Sequence, residues 1–119
     1  MAKELTFRIN GKDVAVKVTA KGATIESLAI HGRRWFQKTY GNTYHSATIE
    51  ACIGGQWLQI GRTAVHYGYG ECYLMSAGEW LIQNGYYECE SECFLVSRQI
   101  QGALKVSHFA ADVARKADL

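Results

Sequence analysis

Leu5-Thr6-Phe7-Arg8-Ile9-Asn10-Gly11-Lys12-Asp13-Val14-Ala15-Val16-Lys17-Val18 decides how this chain begins to fold. Leu5, Phe7 and Ile9 alternate with polar neighbours, and Val14, Val16 and Val18 do the same beyond Asn10-Gly11. A period of two places the apolar side chains on one face of an extended strand. Asn-Gly suits a type I′ turn, because both central residues of that turn need positive φ. Residues 4–20 are therefore predicted to form a β-hairpin with one buried face.

The same pattern recurs along the chain. Residues 45–53 alternate through Ala47, Ile49, Ala51 and Ile53, which leaves Glu50 on the solvent side. Gly54-Gly55 turns the chain, and 56–67 continues the sheet through Leu58, Ile60, Val65 and Tyr67. Gly61 interrupts the alternation as a bulge would. Residues 24–31, with Ile25, Leu28 and Ile30, read as a short strand, and 32–44, which lacks a clean period, as a loop with extended ends.

Residues 71–84 read as a helix. Leu74, Met75, Gly78, Leu81 and Ile82 fall on one helical stripe with Trp80 flanking it. Glu71 suits the positive end of the helix, and Gly85 suits its stop. Cys93-Phe94-Leu95-Val96, within 93–100, reads as a strand, and 103–113 alternates loosely through Leu104, Val106, His108 and Ala110 as a late strand. A helix over 100–116 is the competing reading of that tail. Hairpins around one main helix imply an α+β fold: an antiparallel β-sheet of two or more hairpins packed on one face by that helix. A length of 119 residues suits one domain, and no linker or repeat divides 1–119.

Composition narrows the function. The chain is 48% hydrophobic and 20% charged, as globular proteins are. Proline is absent, so 12 glycines carry the turns. A net charge of +2 does not suit an acidic DNA mimic and permits nucleic-acid binding without requiring it. The N-terminus leads straight into a patterned strand, so no signal peptide is expected and Cys52, Cys72, Cys89 and Cys93 are expected to be reduced thiols. No apolar run reaches membrane-spanning length, and no membrane partner is expected.

Four segments carry the chemistry worth weighing. In 33–45, the cations Arg33, Arg34 and Lys38 interleave with the rings of Trp35, Phe36, Tyr40 and Tyr44. That mixture reads as core anchors beside solvated arginines, as a protein interface, or as a groove for phosphates and stacked bases. Gly41-Asn42-Thr43 reads as a turn, with Tyr44-His45 capping the sheet or lining a site. Tyr67-Gly68-Tyr69-Gly70 feeds the helix and is not a phosphate loop; its tyrosines are expected on opposite faces of the strand end. Cys89 and Cys93 have no second pair at metal spacing, so neither a metal nor a cofactor is expected. His31, His45, His66 and His108 are scattered, and no Gly-x-Ser-x-Gly or His-Glu-x-x-His pattern appears.

Three stretches stand out together: Trp35-Phe36-Gln37-Lys38-Thr39-Tyr40-Gly41-Asn42-Thr43-Tyr44-His45, Tyr67-Gly68-Tyr69-Gly70 and the closing Asp112-Val113-Ala114-Arg115-Lys116-Ala117-Asp118-Leu119. They resemble those of a group of small uncharacterised proteins encoded by bacteriophages and prophages. The resemblance covers most of 25–119, weakens over 86–102, and favours a strand at 104–113. It implies an origin, and with it the cytoplasm of a bacterial host, but no reaction. That origin, the small size and the absence of catalytic motifs together lead to the expectation of a small accessory protein without catalytic activity. Such a protein would bind and inhibit a host protein or ribonucleoprotein, as anti-CRISPR and other anti-defence factors do. Its expected binding residues are Arg33, Arg34, Trp35, Lys38, Tyr40, Asn42, Tyr44, His45, Tyr67 and Tyr69. A nucleic-acid-binding module using Arg33, Arg34, Lys38, Lys116 and the basic-aromatic loop 33–45, and a small enzyme with His45 in its site, are the alternatives. An exposed sheet edge also leaves a homo-oligomer open.

Overall fold

The computed structural model describes residues 3–119. Strands β1 (Lys3–Ile9) and β2 (Lys12–Val18) form the expected hairpin. Leu5 lies opposite Val16 and Phe7 opposite Val14, so the alternating faces coincide. Asn10 and Gly11 take φ of 51° and 77°, the left-handed pair that the tight turn demands.

The second sheet departs from expectation at its centre. Strand β3 runs over Ser27–Gln37 and β4 over Asn42–Ile53, paired without interruption from Ser27↔Cys52 to Gln37↔Asn42. The segment read as a loop at 32–44 is therefore the distal half of a long hairpin. Its rings and cations fall on both faces of the strands, which erases the apolar–polar alternation that would have revealed them. Strand β5 (Gln56–Arg62) pairs with β4 through a register shift at Ile60-Gly61, where the bulge was expected. The two-residue β6 (His66–Tyr67) pairs with the start of β4.

Helix α1 (Cys72–Gln83) packs on β3 and β4. Its buried stripe is Tyr73, Leu74, Ala77, Gly78 and Leu81, and Met75 is 38% exposed. The stripe is rotated from the expected one because Tyr73 lies flat over β3. A Cβ on Gly32 would sit 2.6 Å from that ring, and one on Gly61 would collide with Trp80. Glycine at both positions lets the helix approach the sheet. Gly85, at φ 81°, ends the helix as expected.

The stretch 93–100 is not a strand. A 3-10 turn at Phe94–Val96 is followed by α2 (Arg98–Leu104). Phe94 and Leu95 are adjacent and both buried, which a strand with one covered face does not allow. Strand β7 (Tyr87–Cys89) joins β2, completing a sheet ordered β1-β2-β7. Strand β8 (Val106–Val113) settles the tail in favour of a late strand, while the competing helix is confined to α2. It runs parallel to β3, and the larger sheet is ordered β5-β4-β3-β8. The fold is α+β, with one parallel pair in an otherwise antiparallel arrangement.

Both sheets share one core with α1. Val16, Leu28, Ile30, Ala47, Ile49, Leu74, Leu81, Leu95 and Ile100 are fully enclosed. Each large aliphatic side chain so buried stabilises the fold by about 1.5–3 kcal/mol. Beyond β8, a 3-10 turn at Lys116–Asp118 brings Leu119 back to the sheet, where its carbonyl accepts from Arg62 of β5. No helix among the described residues is long and apolar enough to cross a membrane.

Candidate functional site

The distal half of the β3–β4 hairpin lies beside the entry to α1, and its two faces carry different groups there. On the face away from the helix, Trp35 and Tyr44 are cross-strand partners with ring centroids 6.0 Å apart. Tyr67 of β6 meets Tyr44 edge-on at 5.7 Å, and its hydroxyl donates to Asn42 Oδ1 at 3.4 Å. On the helix side, Arg34, Phe36 and Thr43 line a cleft of about 480 Å³ with Lys38, Tyr69, Gly70 and the end of β8. Tyr67 and Tyr69 thus serve opposite faces. Tyr40 stands at the hairpin tip, where Gly41 takes φ 68°. Tyr40 and Tyr69 are each 74% exposed, and Phe36 and Tyr67 are also exposed.

The cations behave differently from the rings. Arg34 donates through Nε to Asp112 at 3.0 Å and through Nη1 to the Gly70 carbonyl at 3.2 Å. It thereby ties the hairpin to β8 and to the helix entry. Arg33 points to the other face and donates through Nη2 to Thr48 Oγ1 at 2.6 Å. Burial, and then the charge of Arg62, push the Arg33 guanidinium below its ordinary pKa. Lys38 is exposed and makes no ion pair among the described residues.

His45 is also set apart. It is 1% exposed, under α1, and does not reach the aromatic surface. Its Nδ1 lies 3.1 Å from the Gly68 carbonyl and its Nε2 2.7 Å from Ser76 Oγ. A carbonyl only accepts, so Nδ1 carries the proton and the Ser76 hydroxyl donates to Nε2. Desolvation is the main cause that lowers the His45 pKa; the Gly68 bond opposes it and His66 adds to it.

The ten residues singled out from the sequence thus divide. Trp35, Asn42, Tyr44 and Tyr67 share one face, Arg34, Lys38 and Tyr69 surround the cleft, Tyr40 marks the tip, Arg33 lies half-buried on the Trp35 face against Thr48, and His45 is buried under α1. Asp112 and Ser76 were missed as partners. The former lies 78 residues from Arg34 and the latter 31 from His45, so no local motif joins them. Glu50, on the outer face, comes within 4.0 Å of His31. The four cysteines are free, and no group of His, Cys, Asp or Glu among the described residues is placed to hold a metal ion.

No protein-family model matches this chain, and neither a curated protein nor a solved structure is similar to it.

Proposed function

We propose that this is an accessory binding protein of the phage type suggested by its motifs. It docks on a host protein or ribonucleoprotein, and inhibits it, through the aromatic end of the β3–β4 hairpin. One observation carries the choice of a protein partner: the rings of Phe36, Tyr40, Tyr67 and Tyr69 are exposed while both arginines are engaged within the fold. Protein contact sites favour aromatic anchors and are poor in free charge at their centre. A phosphate-tracking surface needs its cations available, and of the three cations in 33–45 only Lys38 is. Tyr40, Tyr69 and Phe36 are the anchors of this reading, and Trp35, Tyr44 and Tyr67 form the flanking face.

Affinity purification of the tagged chain from bacterial host extract, at low and high salt and with nuclease, tests the reading. A stoichiometric protein partner that survives both treatments is expected. Nucleic acid that is released as salt rises would replace this reading with the nucleic-acid one.

A further inference from the structure

The other feature that the fold builds with care is the contact between β4 and α1. His45 is an inward-facing residue of β4 beside the entry to α1, and Ser76 lies one turn after Cys72 on α1. The Gly68 carbonyl holds the ring from behind. Gly68 takes φ 149°, and a Cβ on it would stand 2.8 Å from Cys72 Cβ and 3.2 Å from His45 Cε1. Only glycine lets that carbonyl come so close. The result is a hydroxyl, an imidazole and an acceptor in line, the arrangement by which a base activates a nucleophile and is itself oriented.

Ser76 is not sealed off. It lines an open cleft of about 310 Å³, with His66, Glu79 and Trp80 among its walls. This cleft shares no lining residue with the one beneath Phe36 and Tyr69. We infer that Ser76 is an activated nucleophile, with His45 Nε2 as its general base, able to take an acyl group from a small carboxylic ester in this cleft.

The step balances within these groups. Ser76 Oγ attacks the ester carbonyl carbon, and its proton passes to His45 Nε2. The carbon–oxygen bond to the alcohol breaks, and the imidazolium returns the proton to the departing oxygen. Nδ1–H stays bonded to the Gly68 carbonyl throughout and steadies the charged ring. Water then attacks the acyl-serine by the same route and releases the acid.

Acylation should follow the neutral form of His45. The groups that face this ring are His66 from β6 and Cys72 and Ser76 from α1, with Glu79 on the same cleft wall. The trend expected is a rate that falls as acidification protonates the ring.

An aryl fluorophosphonate probe and 4-nitrophenyl acetate test the inference on the whole protein, with the adduct located by peptide mass spectrometry. The expected result is one adduct per chain on Ser76, absent in Ser76→Ala, retained in Cys72→Ser, and slowed about 10²–10⁴-fold in His45→Gln. Should His45→Gln fail to fold, the acid fall of wild-type labelling supplies the same evidence. No adduct at Ser76, equal labelling of Ser76→Ala, or a Ser76 rate indifferent to both His45 and pH would overturn it.

Discussion

Arg34 and Asp112, 78 residues apart in sequence, meet at 3.0 Å and lock the β3–β4 hairpin to the parallel strand β8. This pair decides how the hairpin end presents itself. With Arg34 held by Asp112 and Gly70, and Arg33 held by Thr48, the surface displays rings with one free cation.

A weak and shallow salt response to single-stranded nucleic acid follows. One engaged cation gives a slope of log affinity against log salt of about −0.7, and three give about −2. Fluorescence anisotropy with a labelled oligonucleotide between roughly 50 and 200 mM salt checks this. A slope of −2 or steeper would mean that the arginines leave their partners.

The close approach of α1 to the sheet predicts that Gly32→Ala and Gly61→Ala destabilise the fold by about 1–3 kcal/mol each through overpacking. The clashes are with the Tyr73 and Trp80 rings. Urea unfolding measures the cost. Loss of less than about 0.5 kcal/mol at either position would show that the rings move aside freely.

His45 predicts an acid sensitivity. Its folded pKa is below the ordinary 6.5, chiefly because burial disfavours the charged ring. The unfolded chain therefore binds the extra proton first, and stability falls as pH drops from about 6.5 toward the folded value. Above 6.5 the contribution is fully present. Thermal unfolding at pH 7.5 and 5 should show the fall in wild type and a smaller one in His45→Gln. Equal falls would assign the effect to other groups.

Much of this fold was legible where one local rule acted alone. Asn10-Gly11 set the first hairpin, Ala47, Ile49 and Ala51 marked β4, and Gly85 marked the helix end. The rule failed where both faces of an element carry large side chains. Trp35 and Phe36 are neighbours on opposite faces of β3, so the strand showed no period. Phe94 and Leu95 are both buried because the chain there turns in a 3-10 helix between two packed elements. The parallel seat of β8 on β3 is set by tertiary contact and has no local signature. The candidate surface was legible in its rings and not in its charges, because the partners of Arg34 and His45 come from other elements.

The central claim is that exposed rings at the hairpin end make a protein interface. The most direct measurement compares wild type with the Tyr40→Ala, Tyr69→Ala double variant in capture from nuclease-treated host extract, with thermal unfolding alongside. Both side chains are 74% exposed, so the variant should unfold within about 0.5 kcal/mol of wild type. The account predicts that it captures its protein partner at least about tenfold less well, as loss of hot-spot rings does. A stable variant that captures the same partner at wild-type yield would contradict the claim.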